Sequence, residues 1–173
     1  VRIGWLLPLL GWLACESPSE VQHRVQPSFY HWQSTLALTE LETARMDSLG
    51  VGEVYLRYFD LDWSETHQQV VPIAVLEVET AWEPKRALIP TVFITNRSLT
   101  RPELAVDTLA QRMATKIKRL SRELGQPPIR QLQIDCDWTE RSRGAYFQLL
   151  RHLRTHFPQL VLSATIRLHQ VKY

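Results

Sequence analysis

Cysteine is nearly absent from this sequence, with two in 173 residues, Cys15 and Cys136. Two such residues far apart supply neither a disulfide framework nor a cluster of thiolate metal ligands. Charge of one sign is lacking as well. Twenty Lys and Arg stand against 18 Asp and Glu, for a net charge of +2 and a pI near 8.7. That balance, with basic residues spread along predicted helices, argues against a nucleic-acid partner. No low-complexity tract and no internal repeat is visible. No metal-ligand spacing occurs, so neither a metal nor another cofactor is expected. The main apolar run, Ile3 to Ala14, is shorter than the ~20 residues that span a bilayer. What remains is a globular composition, 45% hydrophobic and 22% charged with six Trp, at a length suited to one domain.

The N-terminus reads as a targeting segment. Val1 fits an alternative start codon, Arg2 is a positive n-region, and the apolar run ends Trp12-Leu13-Ala14-Cys15 before polar Glu16-Ser17-Pro18-Ser19-Glu20. This resembles a bacterial lipoprotein signal, although Trp12 and Leu13 depart from the usual residues before the cysteine. The pattern predicts a signal peptide over 1–15 with lipidation at Cys15 and a polar tether over 16–26. A domain over 27–173 follows. Ordinary secretory cleavage is the alternative. The expected location is the bacterial cell envelope, lipid-anchored and at the outer membrane, or secreted to the periplasm. The membrane would then be a partner through the anchor at Cys15.

Past Pro27, Phe29-Tyr30-His31-Trp32 reads as a short strand. Thr39-Glu40-Leu41-Glu42 is a capping box for a helix through Leu41, Ala44, Met46 and Leu49, closed by Gly50. Glu53 to Asp60 is a second strand, with Leu61-Asp62-Trp63 expected as a loop. Val70 to Val78 suggests a strand or hairpin, and Leu88 to Thr95 a third main strand ending at Asn96-Arg97-Ser98. Thr100-Arg101-Pro102-Glu103 reads as a second capping box. The helix behind it places Leu109, Met113, Ile117, Leu120 and Leu124 at helical spacing before Gly125. Ala145 to Phe157 is a further amphipathic helix, and Leu160 to Leu168 a last strand.

Gln131 to Asp137 sits at the centre of this pattern. Side chains alternate along a strand, so Leu132, Ile134 and Cys136 share one face and Gln131, Gln133, Asp135 and Asp137 the other. Cys136 is therefore expected as a small buried residue. Strands alternating with helices predict a parallel α/β sheet. The order reads as the first five strands, the N-terminal part, of a TIM (β/α)8 barrel truncated at its C-terminus. A polar strand face would then line the barrel interior, with Asp135 and Asp137 at the C-terminal strand end where barrel enzymes carry their chemistry.

Ile134-Asp135-Cys136-Asp137-Trp138 resembles the fourth-strand D-x-D-x-E motif of family 18 chitinases. The stretches Phe29 to Trp32, Tyr55 to Asp60, Gln133 to Thr139 and Thr165 to Tyr173 resemble a bacterial family of unknown function. Its members are secreted proteins or lipoproteins grouped with TIM-barrel glycoside hydrolases, and the resemblance covers about Pro27 to Tyr173. It implies a glycan substrate or ligand, and carboxylate acid/base catalysis. The chain departs from the chitinase motif at Thr139, which stands where the acidic residue belongs, and Glu140 is one residue out of phase.

Asp137 is then the candidate general acid, with Asp135 as its orienting neighbour about 7 Å away along the strand. Mutual repulsion would raise the pKa of one of them. Tyr30, Trp32, Arg57, Asp60, Asn96, Trp138, Arg167 and His169 are the candidate substrate-binding residues. Trp32, Trp63 and Trp138 near the strand ends suit sugar stacking or the packing of rim loops. Asp135 is alternatively an ion-pair partner of Arg57 or Arg167, and His31 and His169 are alternatively hydrogen-bonded framework residues. Three functions stay open: a cell-surface glycosidase-like enzyme, a non-catalytic glycan-binding lipoprotein, or a structural envelope protein.

Overall fold

The computed structural model describes residues 25–79, 82, 85–126 and 128–172. The expected signal peptide, Cys15 and the tether as far as residue 24 lie outside the described residues. The first half of the fold comprises β1 (Ser28–His31), β2 (Thr35–Leu36), α1 (Glu40–Ser48), β3 (Glu53–Ser64), β4 (Gln69–Ile73), β5 (Glu77–Val78) and β6 (Ala87–Ile94). The second comprises α2 (Asn96–Leu99), α3 (Val106–Glu123), β7 (Gln131–Cys136), α4 (Glu140–His156), β8 (Val161–Ala164) and a 3-10 turn at Leu168–Lys172.

Strands β1, β3, β6, β7 and β8 pair in that order and all run parallel, while β4 lies antiparallel on β3. The architecture is a mixed α/β sheet in which each main strand lies beside the next one along the chain. Its helices share one face. Met46 of α1 packs with Val51, Val54 and Leu88. Met113 and Ile117 of α3, with Tyr146 and Leu149 of α4, pack with Leu132, Ile134 and Cys136 of β7. Each of these large apolar side chains contributes roughly 1.5–3 kcal/mol on burial. Among the described residues, no helix is long and apolar enough to cross a membrane.

Local chemistry sets the helix ends. The Thr39 hydroxyl accepts from the Glu42 amide at 3.2 Å, and Glu42 accepts from the Thr39 amide at 2.8 Å, closing the expected capping box. Those bonds from Thr39 lower the pKa of Glu42. Gly50 and Gly125 adopt φ of +63° and +66°, the left-handed conformation that ends α1 and α3. On α1 only Met46 is buried, and Leu41 and Leu49 stay exposed.

Four expectations need correction. Leu61-Asp62-Trp63 is strand, because β4 pairs with β3 as far as Ser64. The Thr100 capping box does not form: the Thr100 hydroxyl donates to Arg97 O at 3.0 Å at the end of α2, and α3 starts later, at Val106. The last strand stops at Ala164, so Arg167 and His169 lie beyond it. Helix α4 begins at Glu140 rather than Ala145.

A bulge in β3 positions the polar face. Its register against β6 shifts between Arg57 and Phe59, so Tyr58 is an extra residue. Leu56, Tyr58, Phe59 and Leu61 all enter the core. Tyr58 meets Ser121 Oγ at 3.0 Å, and burial pushes its phenol up to about 12. With one residue absorbed by the bulge, Arg57 and Asp60 share the opposite face although they lie three apart.

Candidate functional site

The face opposite the helices carries most of the expected site. In register across the sheet, Arg57 lies beside Thr91, Thr91 beside Gln133, and Gln133 beside Ser163. One step further toward the C-terminal ends, Asp60, Phe93 and Asp135 are neighbours. The alternation of β7 therefore falls as its sequence indicates. Leu132, Ile134 and Cys136 are at most 1% exposed in the core. Burial first, then the nearby Asp137 and Asp135, pushes the Cys136 thiol up to about 12, so it stays protonated.

At the β1 end, Tyr30 and Trp32 stand two apart on one side of the strand. Their rings stack with centroids 5.6 Å apart and 8° between planes, and Tyr55 lies 4.8 Å from Tyr30. Tyr30 and Trp32 are 45% and 43% exposed, an open aromatic platform. Arg57 borders it, donating to Trp32 O at 3.0 Å and through Nε to Asp60 at 2.7 Å. His31 bonds Thr35 O at 2.9 Å, a framework contact.

At the β7 end, Asp135 is half-buried and accepts a hydrogen bond from the Thr165 hydroxyl. The alternative, an ion pair with Arg57 or Arg167, does not form. The bulge gives Arg57 to Asp60, and Arg167 pairs with Asp137. Asp137, just past the strand, is half-exposed, and Arg167 more so. Thr139 is the N-cap of α4, and its amide donates to Ser142 Oγ at 2.9 Å. That hydroxyl also donates to Asn96 Oδ1 at 2.5 Å, tying the end of β6 to the start of α4. Asn96 is thus half-buried beside the helix start rather than free at the rim.

Two tryptophans leave the list of stacking surfaces. Trp138 is 5% exposed and packs against Tyr146 and Phe147, with centroids 6.0 and 5.6 Å away. Trp63 is also 5% exposed, beneath the Arg101 guanidinium. Both belong to the core. His169 falls in the 3-10 turn, and its side chain lies outside the described residues. Among the described residues, no group of three or more His, Cys, Asp or Glu is placed to hold a metal ion.

Sequence reasoning placed Asp62 in a rim loop and missed two further groups, Ser142 and Gln170. Asp62 accepts from Thr95 Oγ1 and Arg97 Nε at 2.6 Å each, and from the Trp63 amide at 2.9 Å. Led by the Arg97 bond, these contacts hold its carboxyl down at about 2. Ser142 was hidden inside a helical pattern. Gln170, 4% exposed, donates from Nε2 to Cys136 O at 3.3 Å and Trp138 O at 2.9 Å, on either side of Asp137. Its Oε1 accepts from the Arg167 amide at 2.7 Å. Thr165 falls within the expected last strand, one residue past where that strand ends. Nothing periodic marks Gln170.

Chemically, the face combines an exposed aromatic platform, an arginine–carboxylate pair and two carboxylates with acceptor capacity to spare at a parallel strand end. A parallel α/β scaffold of this kind presents ligand-binding groups at the C-terminal ends of its strands. The chain matches no protein-family model and no curated protein.

Proposed function

We propose that this sheet is the N-terminal part of a (β/α)8 barrel of the glycoside-hydrolase type, in a protein anchored to the bacterial envelope through Cys15. A glycan would bind across the C-terminal strand ends. Parallel strands in chain order with all major helices on one face support the barrel reading, since a barrel has one helix-covered face and one inward face. The observation that carries the functional reading is the pair Asp135 and Asp137, both partly open on the polar side at the end of β7.

In this reading Tyr30 and Trp32 stack a sugar ring, and Arg57 with Asp60 bonds its hydroxyls. Asn96, Arg167 and His169 complete the rim. Asp137 donates a proton to the glycosidic oxygen, with Asp135 orienting it and a base or nucleophile supplied by a later strand. Arg167 must leave Asp137 before that donation, because a guanidinium occupies the carboxylate in the free protein. A second reading, a non-catalytic glycan-binding envelope protein, draws on Thr139. That residue stands where the chitinase motif has its acid, and it starts a helix instead.

The test is full-length protein on a panel of bacterial and environmental polysaccharides. The catalytic reading expects release of reducing ends, abolished by Asp137→Asn with binding retained. Binding without turnover supports the second reading, and neither overturns both. Mass spectrometry of membrane-extracted protein tests the anchor: a diacylglyceryl adduct on Cys15 supports it, and an unmodified or absent Cys15 contradicts it.

A further inference from the structure

We infer that Gln170 is the positioning residue of this site, holding Arg167 over Asp137 so that a ligand reaches Asp137 only by displacing that guanidinium. The inference rests on the reading of Asp137 as part of the glycan site, and deepens it.

The polypeptide from Thr165 to Gln170 continues from β8 alongside the end of β7. Three contacts made by alternate or near-alternate residues fix it there. The Thr165 hydroxyl donates to Asp135, the Arg167 guanidinium pairs with Asp137, and Gln170 donates to Cys136 O and Trp138 O. These partners all lie in one short stretch, 135 to 138. Gln170 differs from the other two in burial. At 4% exposure it has both its amide hydrogens and its carbonyl engaged, the last by the Arg167 backbone at 2.7 Å. Loss of a buried, fully bonded amide leaves two strand-end carbonyls and one N–H without partners.

Arg167 itself has weak support. Its side chain is 63% exposed, and its bond to Asp137 is a single ion pair open to solvent. Water and the entropy of a long side chain oppose that pair. The backbone bond to Gln170 therefore restricts where the guanidinium starts, and makes its placement over Asp137 reproducible. The same geometry limits the ligand class. Whatever takes the place of Arg167 must offer donors to a carboxylate, as vicinal sugar hydroxyls do, and must not bring a like charge.

The experiment measures how fast Asp137 reacts with a carbodiimide and glycine ethyl ester in the full-length protein, mapped by peptide mass spectrometry. Asp62, another arginine-paired carboxylate at the strand ends, serves as internal reference. Arg167→Met should raise labelling of Asp137 about twofold, the factor a solvent-open ion pair supplies. Gln170→Ala should raise it similarly while Asp62 stays constant. The double variant should exceed neither, since both act on one contact.

Equal labelling in wild type and Gln170→Ala overturns the inference. So does a rise of Asp62 in step with Asp137, which marks general loosening. If the Gln170 variants do not fold, amide exchange in the wild type decides: a protected Arg167 amide supports the clamp, and free exchange refutes it. A glycan panel without response overturns the proposed function but leaves the labelling difference standing, so the two failures are distinguishable.

Discussion

Two aspartates past the bulge of β3 and two at the end of β7 sit at the same end of one sheet, yet their surroundings differ. Asp62 accepts from a threonine, an arginine and a backbone amide, and its carboxyl is held at about 2. Asp60 is 7% exposed and gripped by Arg57. Asp135 accepts from Thr165, and Asp137 meets one exposed arginine. Both keep open acceptor sites. A carboxylate whose lone pairs are filled by the framework does structural work, whereas one left partly open can meet a ligand. Asp62 holds the rim together, whereas the β7 pair keeps acceptor sites open.

The largest effect should come from the saturated side. Asp62→Asn removes the charge that Arg97 and Thr95 bind, and should cost about 2 kcal/mol at neutral pH, less in high salt, measured by denaturant unfolding. Its pH dependence follows from a folded pKa depressed to about 2. The stabilisation is fully present above the unfolded value of 3.8 and is lost as pH falls toward about 2. The stability gap between wild type and variant should close over that window. A gap that persists at low pH would mean that the loss comes from packing rather than charge.

Ser142→Ala comes next. It strips the partner from the Thr139 amide and from Asn96, and should cost about 1 kcal/mol by thermal unfolding. Arg167→Met should be the smallest, within about 0.5 kcal/mol of wild type, because exposed ion pairs add little. A loss as large as that of Asp62→Asn would erase the contrast between the two ends.

Much of this arrangement was legible. The alternation of Gln131 to Cys136 has the two-residue period of a strand, and the spacing of Leu109, Met113, Ile117 and Leu120 has the period of a helix. Burial enforces both patterns, so the sequence displays them. The rest depended on contacts between segments remote in the chain. Asp62 looks like a loop residue, but β4 pairs with its strand, and Arg97 satisfies its charge. The Thr100 signal was real chemistry with a different recipient, since its hydroxyl turns back to close α2. The bulge at Tyr58 re-phased Asp60 and brought it onto the face of Arg57, which pairs with it. Trp138 enters the core because α4 begins two residues later and lays Tyr146 and Phe147 against it.

The most direct measurement compares Asp137→Asn with Asp62→Asn in the full-length protein, scoring glycan turnover and folding stability together. The account predicts that the first keeps its stability and loses turnover, while the second loses stability and keeps turnover when folded. Turnover that survives in Asp137→Asn, and vanishes in a folded Asp62→Asn, would contradict it.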